Sequence, residues 1–226
     1  MRTTLTLAEL ARLWEAAGAL REPVWRDLAR FLIAVPCRRG EAARLDWLHL
    51  DLVAAEWRQP GHMTKNRDPH RLHLHTLALN VLRSRHEATG GKGLVFPAPK
   101  SGDAVDTFTA LKTAIADATA MAGDEYGLAL TGWTWHDFRR SFATALGEAG
   151  IPETVADAVL NHRQSATRGG VLGVYQRASR WPEQVKAMEF GDGYCRCHRG
   201  RGRRSGDCAV AGSHRLIGHA KAIPPA

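Results

Sequence analysis

Near the start of the chain, apolar residues recur at helical spacing. Leu7, Leu10, Ala11, Leu13 and Trp14 lie three and four apart, which places them on one helix face. Thr6 stands before them and Glu9 follows it by three, a pairing that caps a helix N-terminus from both sides. A second stripe, Trp25, Leu28, Ala29, Leu32 and Ile33, follows Pro23, a residue suited to a first helical turn. Pro36 disfavours helical backbone at the residue before it, so the second helix should stop there. A short third helix is expected from Arg38 through Leu45.

Between residues 51 and 75 the texture turns strand-like. Short runs are broken by Pro60-Gly61 and Asp68-Pro69. Arg71-Leu72-His73-Leu74-His75 alternates polar and apolar positions, as a half-buried strand does. A small antiparallel sheet is expected, with Lys65 near a hairpin. Helices should follow at 76–88, 104–122, 135–148 and 152–160, with a brief extended piece at 94–97 and Gly150 closing the third helix. A last short helix should start near Pro182 and fade by Glu189. The pattern predicts a mainly α domain with one small antiparallel β-sheet, an α+β fold over residues 1–190. After Gly191 the periodicity is lost and Gly, Arg, Cys and Ser dominate. That composition buries too little surface to order itself, so 191–226 is expected to be a disordered tail.

Composition excludes several classes. With 44% hydrophobic and 24% charged residues, the 226-residue chain reads as globular and able to bury a core. No apolar run nears the length of a membrane helix. Arg2, Glu9, Arg12 and Glu15 interrupt the start, so no signal-peptide core is expected. An intracellular, cytoplasmic protein with no membrane partner is expected. The net charge is +8, but the segment beyond residue 190 holds seven basic residues against Asp192 and Asp207 and so carries +5 of it, leaving +3 for the body. DNA binding must then be argued from a site, not from bulk charge. Cys37 stands alone in the body. Cys195, Cys197, His198 and Cys208 have the residue types of a zinc site, yet their spacing fits no ordinary finger and no metal is expected.

Six polar residues change this picture: Arg38, Lys65, His136, Arg139, His162 and Tyr175. Paired arginines suit the non-bridging oxygens of a phosphodiester, because guanidinium stays charged and binds oxyanions through two N–H groups. Lysine and histidine can give protons to a leaving oxygen, and tyrosine offers a hydroxyl nucleophile. Each has a plainer reading on its own: a surface arginine, a helix-end histidine favoured by the dipole, a turn lysine, a half-buried tyrosine. Their frames are more specific. Arg38 lies in Pro36-Cys37-Arg38-Arg39-Gly40-Glu41 and Lys65 in Met63-Thr64-Lys65-Asn66. His136 and Arg139 lie in His136-Asp137-Phe138-Arg139-Arg140-Ser141-Phe142, His162 in Leu160-Asn161-His162, and Tyr175 in Val174-Tyr175-Gln176-Arg177.

These fragments, in this order, resemble the catalytic domain of tyrosine recombinases, the phage-integrase family, and its prophage-type members in particular. The resemblance runs from Thr4 to Met188. It implies that Tyr175 attacks a scissile phosphate held by Arg38 and Arg139. It also implies that His136 hydrogen-bonds that phosphate or relays the tyrosine proton, that His162 donates to a phosphate oxygen, and that Lys65 protonates the departing 5′ oxygen. Glu41 resembles the family's acidic support for the first arginine, while Arg39, Lys65 and Arg140 would meet the DNA backbone. The implied partner is double-stranded DNA, with self-association on it and a nucleoid location. No metal, other cofactor or small-molecule substrate is implied. Family members usually carry an N-terminal helical core-binding domain, and they usually continue past the tyrosine in a helix that packs on a neighbouring protomer. Here the resemblance begins at Thr4, and the sequence after Met188 does not continue it. Two expectations follow: a DNA strand-exchange enzyme, and a truncated, non-catalytic DNA-binding remnant of one.

Overall fold

The computed structural model describes residues 4–121, 130, 132–162 and 180–196, with backbone only for 192–196. Its helices are α1 (Leu7–Gly18), α2 (Pro23–Ala34), α3 (Arg39–Ala43), α4 (Thr76–Thr89), α5 (Phe108–Met121), α6 (Trp135–Glu148), α7 (Glu153–Val159) and α8 (Trp181–Arg196). The strands β1 (Leu50–Asp51), β2 (Glu56–Gln59) and β3 (His70–His73) form one antiparallel sheet in the order β1-β2-β3. Among the described residues no helix is long and apolar enough to cross a membrane.

Helix α1 begins as its sequence dictates. The Glu9 N–H donates to Thr6 Oγ1 at 3.3 Å, and the Thr6 N–H donates to Glu9 Oε2 at 2.8 Å. Helix α2 is the hub, packing against α1, α3, α4, α6 and α8. Because neighbours surround it, Asp27, Phe31 and Ala34 are buried along with Leu28, Ala29, Leu32 and Ile33, while Trp25 is only partly covered. One apolar stripe was expected, but a helix walled in by others has little solvent face. Phe31 joins α2 to the rest of the core, with ring centroids 5.9 Å from Trp57 on β2 and 5.5 Å from Phe96. The buried Asp27 carboxylate pairs with Arg85 of α4 at 3.9 Å, and Arg85 Nε donates to the Val95 carbonyl at 3.1 Å.

Pairing in the sheet sets Trp57 opposite Leu72 and Gln59 opposite His70. Side chains alternate across a strand, so His70 shares the inward face with Leu72, and Leu74 continues it just past the strand end. Residues 60–69 connect β2 to β3 and carry Lys65, which is exposed.

Two element boundaries differ from the sequence expectation by more than two residues. Helix α5 starts at Phe108 rather than 104, because Ala104 is bridged to Pro97. Helix α8 runs on to Arg196 instead of fading by Glu189. Gly191, where the composition changes, lies inside α8; a Cβ there would come within 2.4 Å of the Phe142 ring of α6. The glycine permits close helix packing and does not end the helix. Of the expected 191–226 tail, residues 197–226 lie outside the described residues, including Cys197, His198 and Cys208.

Candidate active site

Four chain segments bring charge to one place. Pro36 turns the chain out of α2, and Arg38 becomes the residue that precedes α3. Glu41, one turn into α3 and buried, grips Arg38 twice. Its Oε2 accepts the Arg38 N–H at 2.9 Å and its Oε1 accepts from Arg38 Nη1 at 2.8 Å. A carboxylate at the N-terminus of a helix is favourable by itself; here it also fixes a guanidinium. Arg39 turns the other way, exposed, with its guanidinium 5.4 Å from the Phe108 ring centroid.

Arg139, in the second turn of α6, is 4% exposed. Its Nη1 donates to the Pro36 carbonyl at 2.6 Å and its Nη2 to the Leu160 carbonyl. Burial, then repulsion from Arg38, lowers its pKa to about 10, so it remains charged at neutral pH. Its Nε is buried and has no hydrogen-bond partner among the described residues. Such an orphaned donor in a cationic group is costly unless an acceptor arrives. Arg140 is exposed, with Nη1 3.5 Å from Asp137 Oδ1. Asp137 itself caps α6 by accepting the Thr134 N–H at 2.7 Å.

His136 lies one turn before Arg139 and is exposed. Partial burial lowers its pKa, and Arg140, Arg139 and Arg38 push it the same way. His162 is exposed and just past α7. Partial burial and the Arg139 charge lower its pKa, while a 3.2 Å contact between Nδ1 and Asp157 Oδ1 opposes the shift. Both imidazoles thus sense both arginines. An anion seated between the arginines would reverse that push and favour protonated, doubly donating rings.

The end of α7 explains how His162 gets there. Asn161 adopts the left-handed conformation, φ +48°. The His162 N–H then donates to Asp157 O at 2.9 Å and the Asn161 N–H to Ala158 O at 3.2 Å. This is the Schellman closure, for which asparagine is the usual stand-in for glycine. Gly150 closes α6 in the same manner, with φ +74°.

Sequence reasoning missed His70. Its ring Nε2–H donates to the Val159 carbonyl at 3.1 Å. Burial lowers its pKa to about 4; the Glu41 carboxylate opposes this, and Arg139 and Arg38 reinforce it. The missed signal was alternation: the Leu72, Leu74 face, extended one step back, points a titratable side chain inward. Cys37 also sits against these groups, and burial followed by the Glu41 charge pushes its thiol up, so it is an unreactive packing residue. Lys65 is exposed, and its chain neighbour Asn66 donates from Nδ2 to the Asn161 carbonyl at 2.6 Å, beside His162. Tyr175 lies outside the described residues. Among the described residues no cluster of His, Cys, Asp and Glu could hold a metal ion.

Known proteins resemble this chain in sequence or in fold. Prophage integrase IntA of Escherichia coli (strain K12) is 29% identical over 168 residues, 68% of this chain. The chain spans 37% of that relative's length. Among solved structures, XerA recombinase superposes with a TM-score of 0.57 at 20% identity, covering 82% of this chain and 63% of that one. The integrase from mycobacterium phage Brujita gives 0.52 at 19% identity, covering 86% and 59%. The two structures share the fold. A model of the phage integrase family matches residues 3–170, taking in Arg38, Glu41, Lys65, His136, Arg139 and His162 and stopping short of Tyr175. With most of its length inside that match, the chain belongs to the phage integrase family.

Proposed function

We propose that this chain is the catalytic domain of a site-specific DNA recombinase that cleaves and rejoins duplex DNA through a 3′-phosphotyrosine link. The observation that carries the reading is the cationic floor made by Arg38 and Arg139. Glu41 orients one, backbone carbonyls hold the other, and the buried Arg139 Nε–H has no partner among the described residues. Fixed donors aimed at an oxyanion stabilise charge that develops in a transition state without further reorganisation.

In this mechanism the scissile phosphate rests against Arg38 and Arg139. The Tyr175 oxygen attacks phosphorus as its phenolic proton leaves toward His136. The P–O5′ bond breaks, its electron pair goes to the 5′ oxygen, and the Lys65 ammonium supplies that oxygen with a proton. His162 donates to a non-bridging oxygen. The reverse sequence, run by a 5′-hydroxyl from a partner duplex, releases Tyr175 and completes the exchange. The phosphodiester energy is kept in the covalent link, so no nucleotide is consumed. Arg39 and Arg140, both exposed, supply contacts to flanking phosphates. Strand exchange needs more than one copy, so self-association occurs on the DNA, at the nucleoid. The sequence from residue 191 onward, with seven basic residues against Asp192 and Asp207, adds salt-sensitive, sequence-independent affinity.

The decisive experiment is adduct formation on a nicked duplex that traps the cleaved strand. The unaltered chain should form a covalent protein–DNA species, and Tyr175→Phe should bind the duplex without forming it. An adduct from Tyr175→Phe would move the nucleophile elsewhere. Binding with no adduct from the unaltered chain would make it the non-catalytic remnant instead.

A further inference from the structure

The end of α7 leaves three carbonyls with no partner inside the helix, and each is taken by a side chain from elsewhere. The Schellman closure uses Asp157 O and Ala158 O. The next three, at Val159, Leu160 and Asn161, accept from His70 of β3, Arg139 of α6 and Asn66 of the β2–β3 connection. Helix C-terminal carbonyls need partners, and water usually serves. Here two of the three donors come from the short segment that carries Lys65.

We propose that His70 and Asn66 are positioning residues that set Lys65 against His162 by bolting the β2–β3 connection to the end of α7. Lys65 precedes Asn66 and His162 follows Asn161, so the Asn66–Asn161 hydrogen bond joins the two carriers one residue from each candidate group. His70 fixes the far side of the same connection. It is held neutral by burial and by its arginine neighbours, so it donates one N–H without adding a third charge beneath the anion site. Thr64 closes the near side, its hydroxyl reaching the Gly61 and Asp68 carbonyls at 3.1 and 2.9 Å. A lysine on an exposed connection is otherwise free to sweep a wide arc. Side-chain bonds from three residues confine its backbone while leaving the ammonium exposed.

The catalytic part of this inference rests on Lys65 being the proton donor of the proposed reaction, and the test separates the two. The full chain is used on a nicked duplex carrying either the ordinary bridging 5′ oxygen or sulfur in its place. Sulfur departs as a thiolate and needs no proton. With oxygen, His70→Ala should slow adduct formation by about 10²-fold, the scale of a misplaced catalytic group. With sulfur, His70→Ala should match the unaltered protein, as Lys65→Ala does. His70→Gln, whose amide can still donate to Val159 O, should keep most of the activity on oxygen. A merely structural loss would slow both substrates alike, and that result overturns the proposal.

Hydrogen exchange supplies the second measurement and needs no catalysis. The Arg67 amide, bonded to Thr64 O at 3.2 Å, should exchange about tenfold faster in His70→Ala and in Asn66→Ala, while core amides of α2 keep their protection. Unchanged Arg67 protection overturns the bolt. Faster exchange in a protein that forms no adduct in any version would keep the bolt and reject the enzyme reading.

Discussion

The floor and the rim of the candidate site are built by opposite means. The floor, Arg139 with Glu41 and Arg38, is buried or half-buried and tied by hydrogen bonds to backbone 103 residues away. The rim, His136, His162 and Lys65, is exposed and is placed by the backbone that carries it: a helix first turn, a left-handed asparagine, a pinned connection. A charge that must meet an anion in fixed geometry gains from burial, because water does not weaken its field there. Groups that move protons gain from exposure and small displacements. In the proposed reaction the floor would therefore serve the fold and the chemistry together, and the rim the chemistry alone.

Substitutions can break that contrast, most of all at the floor. Arg139→Ala strands the Pro36 and Leu160 carbonyls and removes the guanidinium proposed to hold the anion. It should cost about 2–4 kcal/mol in denaturant unfolding and at least about 10³-fold in adduct formation. Stability within error of the unaltered protein would show that Arg139 is not part of the framework. Glu41→Gln keeps the shape but removes the charge facing Arg38. An expected loss of about 1–2 kcal/mol should accompany a slowing of about 10²-fold. Equal stability with full activity would detach Glu41 from the floor.

A pH titration sharpens the contrast at its boundary. His70 binds a proton near 6.5 when unfolded and near 4 when folded. Between those values the unfolded chain holds more protons, so stability should fall as the pH drops from about 6.5 to about 4. His70→Gln should flatten this part of the stability curve, and an unchanged slope would place the acid sensitivity elsewhere. The smallest stability effects belong to the rim. His136→Ala and His162→Ala should each alter unfolding by less than about 0.5 kcal/mol while slowing adduct formation by about 10²-fold. A large stability loss in either would move that histidine to the floor.

Much of this was legible in the residues. The Thr6–Glu9 cap, Pro23 at the start of α2 and Gly150 beyond α6 each impose a local backbone solution, and the structure adopts all three. The Leu72 and Leu74 alternation fixed which face of β3 lies inward. What could not be read depends on contacts between distant segments. Gly191 looks like a breaker until Phe142 is seen packing on it. Trp25 fits an apolar stripe, but a surrounded helix has no single stripe. His70 and Asn66 carry no motif of their own, because their role exists only where the Val159 and Asn161 carbonyls arrive. The choice of Arg38 over Arg39 rested on resemblance. In the structure Glu41 grips Arg38, while Arg39 lies over Phe108.

The long tie from Arg139 to Pro36 also has a consequence for the order of events during synthesis. The Pro36 carbonyl leaves the ribosome 103 residues ahead of the arginine it must meet, and the Leu160 carbonyl follows that arginine by 21. A chain that has grown only as far as its sheet and first four helices holds Arg38 and Glu41 with nothing opposite them. The anion floor closes only once the turn after α7 has emerged. A stalled or prematurely ended product that stops before this point holds Arg38 and Glu41 without the full set of contacts that fixes Arg139.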